Sequence, residues 1–184
     1  AAGIDLFSVT NESSGNFNNF TFDSETQGAT FRGTYPLTEY LDHTVRYTVR
    51  NDKVSNVDPL ASVYVREQVG DRTTSSVGQS LTYNTLDSQF QPSGGWLVTV
   101  SQDLAGLGGD VDYIKHEAKV NYFTKLDEDW EDWVLKLSGR GGHIEGMGND
   151  NVAINDRFFV GSNIIRGFDN QGIGGRDANT RDPL

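Results

Sequence analysis

The sequence predicts an all-β fold: an antiparallel meander that forms part of a transmembrane β-barrel, with a long lumen-directed extracellular loop at the C-terminal end. Three observations predict it. Short segments in which apolar and polar residues alternate recur along the chain. No apolar run approaches the roughly 20 residues that a membrane helix needs. Long polar connections largely alternate with shorter ones, as they do in outer-membrane barrels.

The alternation places seven strands at about residues 3–10, 27–35, 42–50, 72–84, 95–103, 111–124 and 133–141. Several of them come near the roughly 9–11 residues of a tilted membrane strand. In the third strand, Val45 and Tyr47 lie on one face, and Arg46 lies on the other. A soluble β-sandwich would show the same alternation, so this pattern leaves that alternative open.

The two faces predict two environments. The apolar side chains expected to face lipid are Val45, Tyr47, Val98, Val100, Val120 and Leu135. The charged side chains expected to face a wet lumen are Arg46, Arg50, Lys115, Glu117, Lys119, Lys136 and Arg140. Aromatic residues near the strand ends predict an interfacial girdle of Tyr35, Tyr40, Tyr83, Trp96, Trp130 and Trp133.

The connections predict the orientation of the sheet. Those at about 11–26, 51–71, 104–110 and after 142 are mostly long and polar, and those at about 36–41, 85–94 and 125–132 are shorter. Long loops of outer-membrane barrels lie outside the cell. Residues 1–184 are therefore expected to be a partial barrel domain, with strands at about 3–141 and an extracellular loop at about 142–184. Barrels in lipid are closed and even-numbered, so seven strands imply that further strands lie outside this chain.

Composition excludes several classes of function. A net charge of −11, from 15 basic and 26 acidic residues, argues against nucleic acid as a partner. No cysteine is present, so there is no thiolate metal site or cysteine nucleophile. His43, His116 and His143 lack the paired spacing of a zinc site, and Gly161-Ser162 lacks the Gly-x-Ser-x-Gly elbow of a serine hydrolase. No enzyme activity, catalytic residue, metal or cofactor is expected.

One acidic cluster could hold a cation. Asp127, Glu128, Asp129, Glu131 and Asp132 place five carboxylates in six positions, and carboxylate oxygens are ligands for Ca²⁺. The cluster lacks the Asp-x-Asp-x-Asp-Gly order of a calcium loop. A solvated turn is the favoured interpretation.

The last quarter of the chain is its most distinctive part. Ile165-Arg166-Gly167-Phe168 follows a Phe-Phe-Val-Gly stretch that ends at Gly161, and a Gly-Ile-Gly-x-Arg-Asp stretch ends at Asp177. A lone arginine in an apolar, glycine-flanked run must either reach water or meet a buried acid. A chance exposed loop is the alternative interpretation.

Two earlier stretches accompany this one. They are Tyr35-Pro36-Leu37-Thr38-Glu39-Tyr40 and a segment from Tyr83 through Asp87, Pro92 and Gly94 to Gly106. The three stretches, in this order, resemble BamA-type outer-membrane assembly factors, nearest to those of alphaproteobacteria. That superfamily also contains TamA and the two-partner-secretion transporters. Two departures concern the loop: Gly161 is followed by Ser162 instead of a second glycine, and Gly175 stands where the family has proline.

The resemblance implies a function. It makes the chain part of the barrel of a factor that folds and inserts β-barrel proteins into the outer membrane of a Gram-negative bacterium. The implied partners are outer-membrane lipid, client β-barrel proteins, periplasmic POTRA domains outside this chain and accessory lipoproteins. A two-partner-secretion transporter of the same superfamily and a soluble secreted β-sandwich binding protein are the alternatives.

The resemblance also implies site residues. The signature loop consists of Gly161, Ile165, Arg166, Gly167 and Phe168. In the family its arginine folds into the lumen and pairs with acidic groups on later strands. A second, structural motif consists of Asp87, Pro92 and Gly94.

Overall fold

A computed structural model describes residues 1–11, 23–57, 63–126, 133–147, 152–153, 156–158, 160–161, 164–168 and 173–175. Its strands are β1 (Ala2–Asn11), β2 (Asp23–Pro36), β3 (Leu41–Ser55), β4 (Gly70–Asn84), β5 (Gly95–Ala105), β6 (Tyr113–Lys125) and β7 (Val134–Gly146). They form one sheet in sequence order, and each neighbouring pair is antiparallel. The predicted meander and its seven strands are confirmed.

The strands extend further than the alternation predicts at the end of the sheet with the long connections. β2 begins at Asp23, β3 continues to Ser55 and β7 continues to Gly146. A one-turn helix, α1 (Val63–Arg66), lies between β3 and β4, where no helix was predicted. Four residues are too few to show a helical period in the sequence. Among the described residues, no helix is long and apolar enough to span a membrane.

The strand register assigns each side chain to a face, because directly opposed residues of an antiparallel sheet share one. Arg46, Gly78, Asp103 and Lys115 form one row across β3 to β6. This face is called the polar face, and it carries every residue of the predicted charged set: Arg46, Arg50, Lys115, Glu117, Lys119, Lys136 and Arg140. The opposite, apolar face carries the predicted outward set: Val45, Tyr47, Val98, Val100, Val120 and Leu135.

The apolar face is not covered by a second layer. Val45 is 42% exposed and Val100 is 52% exposed. In the part of the chain that the structure describes, all strands belong to the single sheet. The β-sandwich alternative is therefore wrong, because a sandwich buries these side chains between two sheets.

Buried apolar side chains lie on the polar face instead. Ala105, Val111 and Tyr113 form a small cluster, against which Ile144 of β7 packs. Ala153, from the segment after β7, is also buried. The burial arises because the chain beyond β7 folds back over this face.

Aromatic side chains collect at the end of the sheet with the short turns. The described ones are Tyr35, Tyr40, Tyr83, Trp96 and Trp133, each between 43% and 58% exposed. The Trp96 ring lies 4.3 Å from the Tyr122 ring, centroid to centroid. Trp130 lies outside the described residues. The position matches the interfacial girdle expected of a membrane barrel.

One polar row crosses the apolar face. Gln79, Gln102, His116 and His143 are opposed in register on β4 to β7. Gln79 Nε2 donates to Gln102 Oε1 at 3.2 Å. The alternation of single strands did not predict this row, because the opposition of its members depends on the register between strands.

Candidate functional site

An ion pair crosses three strands of the polar face. Arg46 Nε donates to Asp103 Oδ1 at 2.9 Å, and Arg46 Nη2 donates to Asp103 Oδ2 at 2.6 Å. Gly78 of β4 lies between them in register. A Cβ at that position would come within 2.7 Å of Arg46 Nε and closer still to Asp103. The missing side chain gives the arginine its path across β4.

A second charged group lies on β6 and β7. Arg140 Nε donates to Glu117 Oε1 at 2.5 Å, and Lys119 Nζ lies 3.3 Å from Glu117 Oε2. The guanidinium and the ammonium group therefore share one carboxylate. Glu117 lies diagonally across from Arg140 in the register, and opposite charges at such positions stabilise a sheet modestly.

The chain after β7 folds back onto this face through residues 152–153 and 156–158, called here the anchor segment. Asp156 is 2% exposed, and its carboxylate accepts a hydrogen bond from Arg50 Nη2. The backbone carbonyl of Asp156 accepts from Lys115 Nζ at 2.9 Å. Arg50 Nε donates in addition to Asp52 Oδ2 at 2.8 Å. The anchor segment thus contacts both β3 and β6.

Phe158 contributes contacts of another kind. Lys115 Nζ lies 4.5 Å from the centroid of its ring, within the range of a cation–π interaction. The ring lies directly over Gly142 of β7, where a Cβ would come within 2.8 Å of three ring carbons. Inside the segment, Asp156 N donates to the Ala153 carbonyl at 3.0 Å. The segment is therefore a compact turn pressed against the sheet.

A short bridge closes the base of the signature loop. Ile173 N donates to the Val160 carbonyl at 3.1 Å, which forms an isolated antiparallel bridge. The Gly161 carbonyl accepts from the backbone N–H groups of Ile164 and Ile165, both at 2.9 Å. The Gly161 carbonyl therefore begins a turn that leads into Arg166.

Arg166 stands at the exposed part of this loop. Its neighbours Ile165 and Phe168 are 42% and 50% exposed, and Gly167 has a φ of 91°, a left-handed conformation that favours glycine. Arg166 forms no ion pair with any residue that the structure describes. Its pairing with an acidic group on later strands stays a prediction.

The second motif organises the turn between β4 and β5. Asp87 Oδ1 accepts from Ser93 N at 2.9 Å, its Oδ2 accepts from the Ser93 hydroxyl, and Asp87 N donates to the Gly94 carbonyl at 3.2 Å. The Ser93 hydroxyl, followed by the backbone N–H groups, lowers the pKa of Asp87 to about 2. Pro92 precedes Ser93, and its ring fixes its own φ.

The residues of this chain that could in principle bind a metal ion include three histidines and the acidic cluster at 127–132. Among the described residues, no group of three or more histidine, aspartate or glutamate side chains could hold a metal ion. The acidic cluster at 127–132 lies outside those residues. His43 Nδ1 and the Tyr35 hydroxyl share a hydrogen bond of 2.6 Å. His116 lies opposite His143 across β6 and β7.

The sequence alone does not single out Asp156. It stands just before the stretch that carries the resemblance, in a segment without alternation. A possible signal was charge balance, since the polar face carries more basic than acidic residues among those predicted.

The open antiparallel sheet, with one face apolar and the other covered by a returning loop, defines the class: part of a transmembrane β-barrel. The chain belongs to the Omp85 superfamily, whose domain model matches residues 1–184. The resemblance to BamA-type factors is thereby confirmed at the level of the family.

Proteins similar to this chain include two relatives and one solved structure. It is 36% identical over 150 residues to the outer membrane protein assembly factor BamA of Neorickettsia risticii, covering 82% of this chain and 20% of the relative. It is 31% identical over 134 residues to the sorting and assembly machinery component 50 homolog of Bos taurus, covering 72% of this chain and 28% of that protein. The crystal structure of BamA from Haemophilus ducreyi lacking POTRA domains 1–3 matches with a TM-score of 0.81 and 19% identity, over 100% of this chain and 38% of that one. The structural likeness supports the fold.

Proposed function

We propose that this chain is part of the barrel of an outer-membrane protein assembly factor, which folds and inserts β-barrel proteins into the outer membrane of a Gram-negative bacterium. The observation that carries the proposal is the 36% identity to the Neorickettsia protein, which bears that name. The chain spans about a fifth of that relative's length, so its activity is inferred for the whole protein.

The proposed mechanism is non-covalent and needs no catalytic residue or cofactor. The apolar face contacts lipid through side chains such as Val45 and Val100, which removes them from water. The charged face stays hydrated, with its charges paired as in Arg46 and Asp103. Incoming strands of a client would add to an open sheet edge by β-augmentation, at a seam outside this chain.

The signature loop has a proposed role in that mechanism. The exposed guanidinium of Arg166 would form a bidentate ion pair with a carboxylate on the inner wall. Lysine cannot form such a pair. Phe168 would pack against the apolar part of the wall. The loop would then hold the barrel in the shape that accepts clients.

The proposed partners are outer-membrane lipid, client β-barrel proteins, POTRA domains and accessory lipoproteins. A secretion transporter of the same superfamily is the competing function. Liposomes that contain the full-length protein separate the two when a urea-unfolded β-barrel client is added and its folding is followed by gel mobility. The client should fold faster than in liposomes that hold an unrelated barrel. Equal rates in both liposomes would contradict the proposal.

A further inference from the structure

We propose that Asp156 is the positioning residue that holds the loop after β7 on the polar face, and that it acts independently of Arg166. The inference concerns where the loop lies. It does not rest on the proposed assembly function.

Asp156 is buried beside a group of opposite charge. Asp156 is 2% exposed, and its carboxylate forms an ion pair with Arg50 of β3. A carboxylate removed from water is stable only when it is paired and hydrogen-bonded. The Asp156 carboxylate can therefore stay buried at this position only while it is paired with Arg50.

Asp156 is also shielded by the connection between β3 and β4. A small cavity beside Asp156 is also lined by Gln68 and Arg72, which belong to the β3–β4 connection and the start of β4. Gln68 is 7% exposed. The described end of the β3–β4 connection thus lies beside Asp156 and helps to screen it from water. An ion pair screened from water is stronger than one on an open surface.

The anchor segment also reaches across the sheet. Arg50 lies on β3, Lys115 lies on β6, and Phe158 rests over Gly142 of β7. The anchor segment therefore fixes the loop against strands that are far apart in the sheet. The Asp156 side chain supplies the charge of this anchor, whereas its backbone carbonyl accepts from Lys115 whatever that charge is.

Asp156 of the anchor segment and Arg166 of the signature loop differ in charge and in position. At Asp156 the loop supplies an acid to a basic strand, whereas Arg166 supplies a base ten residues later. Arg166 lies in the exposed part of the loop, beyond the bridge between Val160 and Ile173. The two groups can therefore be removed separately.

Asp156 can be neutralised without leaving Arg50 unpaired. Arg50 keeps Asp52 as a partner when the Asp156 carboxylate is lost, so Asp156→Asn leaves no buried cation alone. The variant then weakens the attachment of the loop more than the sheet itself. Local opening of the anchor segment should rise while global stability changes little.

Thiol labelling measures this opening, because the chain has no cysteine of its own. Ala153 is 7% exposed in the anchor segment, so Ala153→Cys reports its opening in the full-length protein in liposomes. A membrane-impermeant maleimide should label it slowly. Adding Asp156→Asn should raise the rate about tenfold, the effect of losing one charge-assisted hydrogen bond. Adding Arg166→Ala should change it less than about twofold.

Controls make either result decisive. Leu107→Cys, at a side chain 52% exposed in the connection between β5 and β6, should label at one rate in every background. Asp156→Glu, which keeps the charge, should restore most of the protection. Heat-modifiability on semi-native gels checks that each variant is folded. The proposal is overturned if Asp156→Asn leaves Ala153→Cys protected, or if Arg166→Ala exposes it equally.

Discussion

Arg46 of β3 and Asp103 of β5 form a two-contact ion pair across the intervening strand β4, with N–O distances of 2.9 and 2.6 Å. Strands two apart in a sheet are separated by roughly 10 Å, so such a pair needs a long side chain and an unobstructed path. Gly78 provides that path. The pair links strands that share no backbone hydrogen bonds.

Gly78→Ala should break this link. The added methyl group would collide with both partners, and losing the two charge-assisted hydrogen bonds should lower the free energy of unfolding by about 1–3 kcal/mol. Gly33→Ala is the matched control, because a Cβ there meets nothing within 4 Å. Urea unfolding of the full-length protein in lipid vesicles measures both. Equal midpoints for the two variants would show that the pair contributes nothing.

The apolar face should reject charge. Val45→Arg places a guanidinium in the lipid-facing band, and it should lower stability by about 2–4 kcal/mol if the position is near mid-membrane. Val63→Arg, at an exposed position of α1, is the comparison and should have little effect. The same vesicle unfolding experiment applies. A harmless Val45→Arg would mean that the face assignment is wrong.

The turn between β4 and β5 should depend on pH through Asp87. Its pKa is lowered from 3.8 to about 2, so its carboxylate stabilises the folded turn above pH 4. That contribution should disappear as the pH falls through 2, because the protonated form then exists in both states. The difference in urea midpoint between the native chain and Asp87→Asn, measured from pH 6 to pH 2, should shrink over this range. A constant difference would refute the role of the carboxylate.

Gly142 and Gly141 offer a matched pair on opposite faces. A Cβ at Gly142 would collide with the Phe158 ring, whereas a Cβ at Gly141 meets nothing within 4 Å. Gly142→Ala should therefore displace the anchor segment and speed tryptic cleavage after Arg157, and Gly141→Ala should not. Mass spectrometry of the digest identifies the cut. Identical cleavage in both variants would mean that Phe158 does not hold the segment.

The sequence predicts the sheet well because a period of two is a local property. His43, Val45 and Tyr47 alternate with charged and polar neighbours, and the side chains of a half-buried strand must do so. Strand ends are less well predicted, since β3 continues through Asn51 to Ser55 where turn-forming residues suggest a loop. Pairing with β2 and β4 overrides that local preference.

The site is predicted only in part, because its contacts are long-range. Arg50 meets Asp156, 106 positions away in the chain, and no spacing rule links the two. The sequence places Arg50 on the correct face but does not reveal its partner. The Arg46 and Asp103 pair is hidden in the same way, since it depends on the register of three strands and on a glycine between them.

The proposed function depends most strongly on Arg166. Arg166→Ala should leave a buried acid on the inner wall without a partner, which loosens the loop and lowers the stability of the barrel. Arg166→Lys should restore only part of the function, because an ammonium group cannot form the two-pronged pair. Heat-modifiability on semi-native gels reports the stability of each variant.

Growth after depletion of the native protein tests the central claim most directly. A plasmid copy of the unaltered full-length protein should restore growth, Arg166→Ala should fail to do so at equal abundance in the outer membrane, and Arg166→Lys should give an intermediate result. Full growth with Arg166→Ala, together with normal heat-modifiability, would contradict the role assigned to the signature loop in outer-membrane protein assembly.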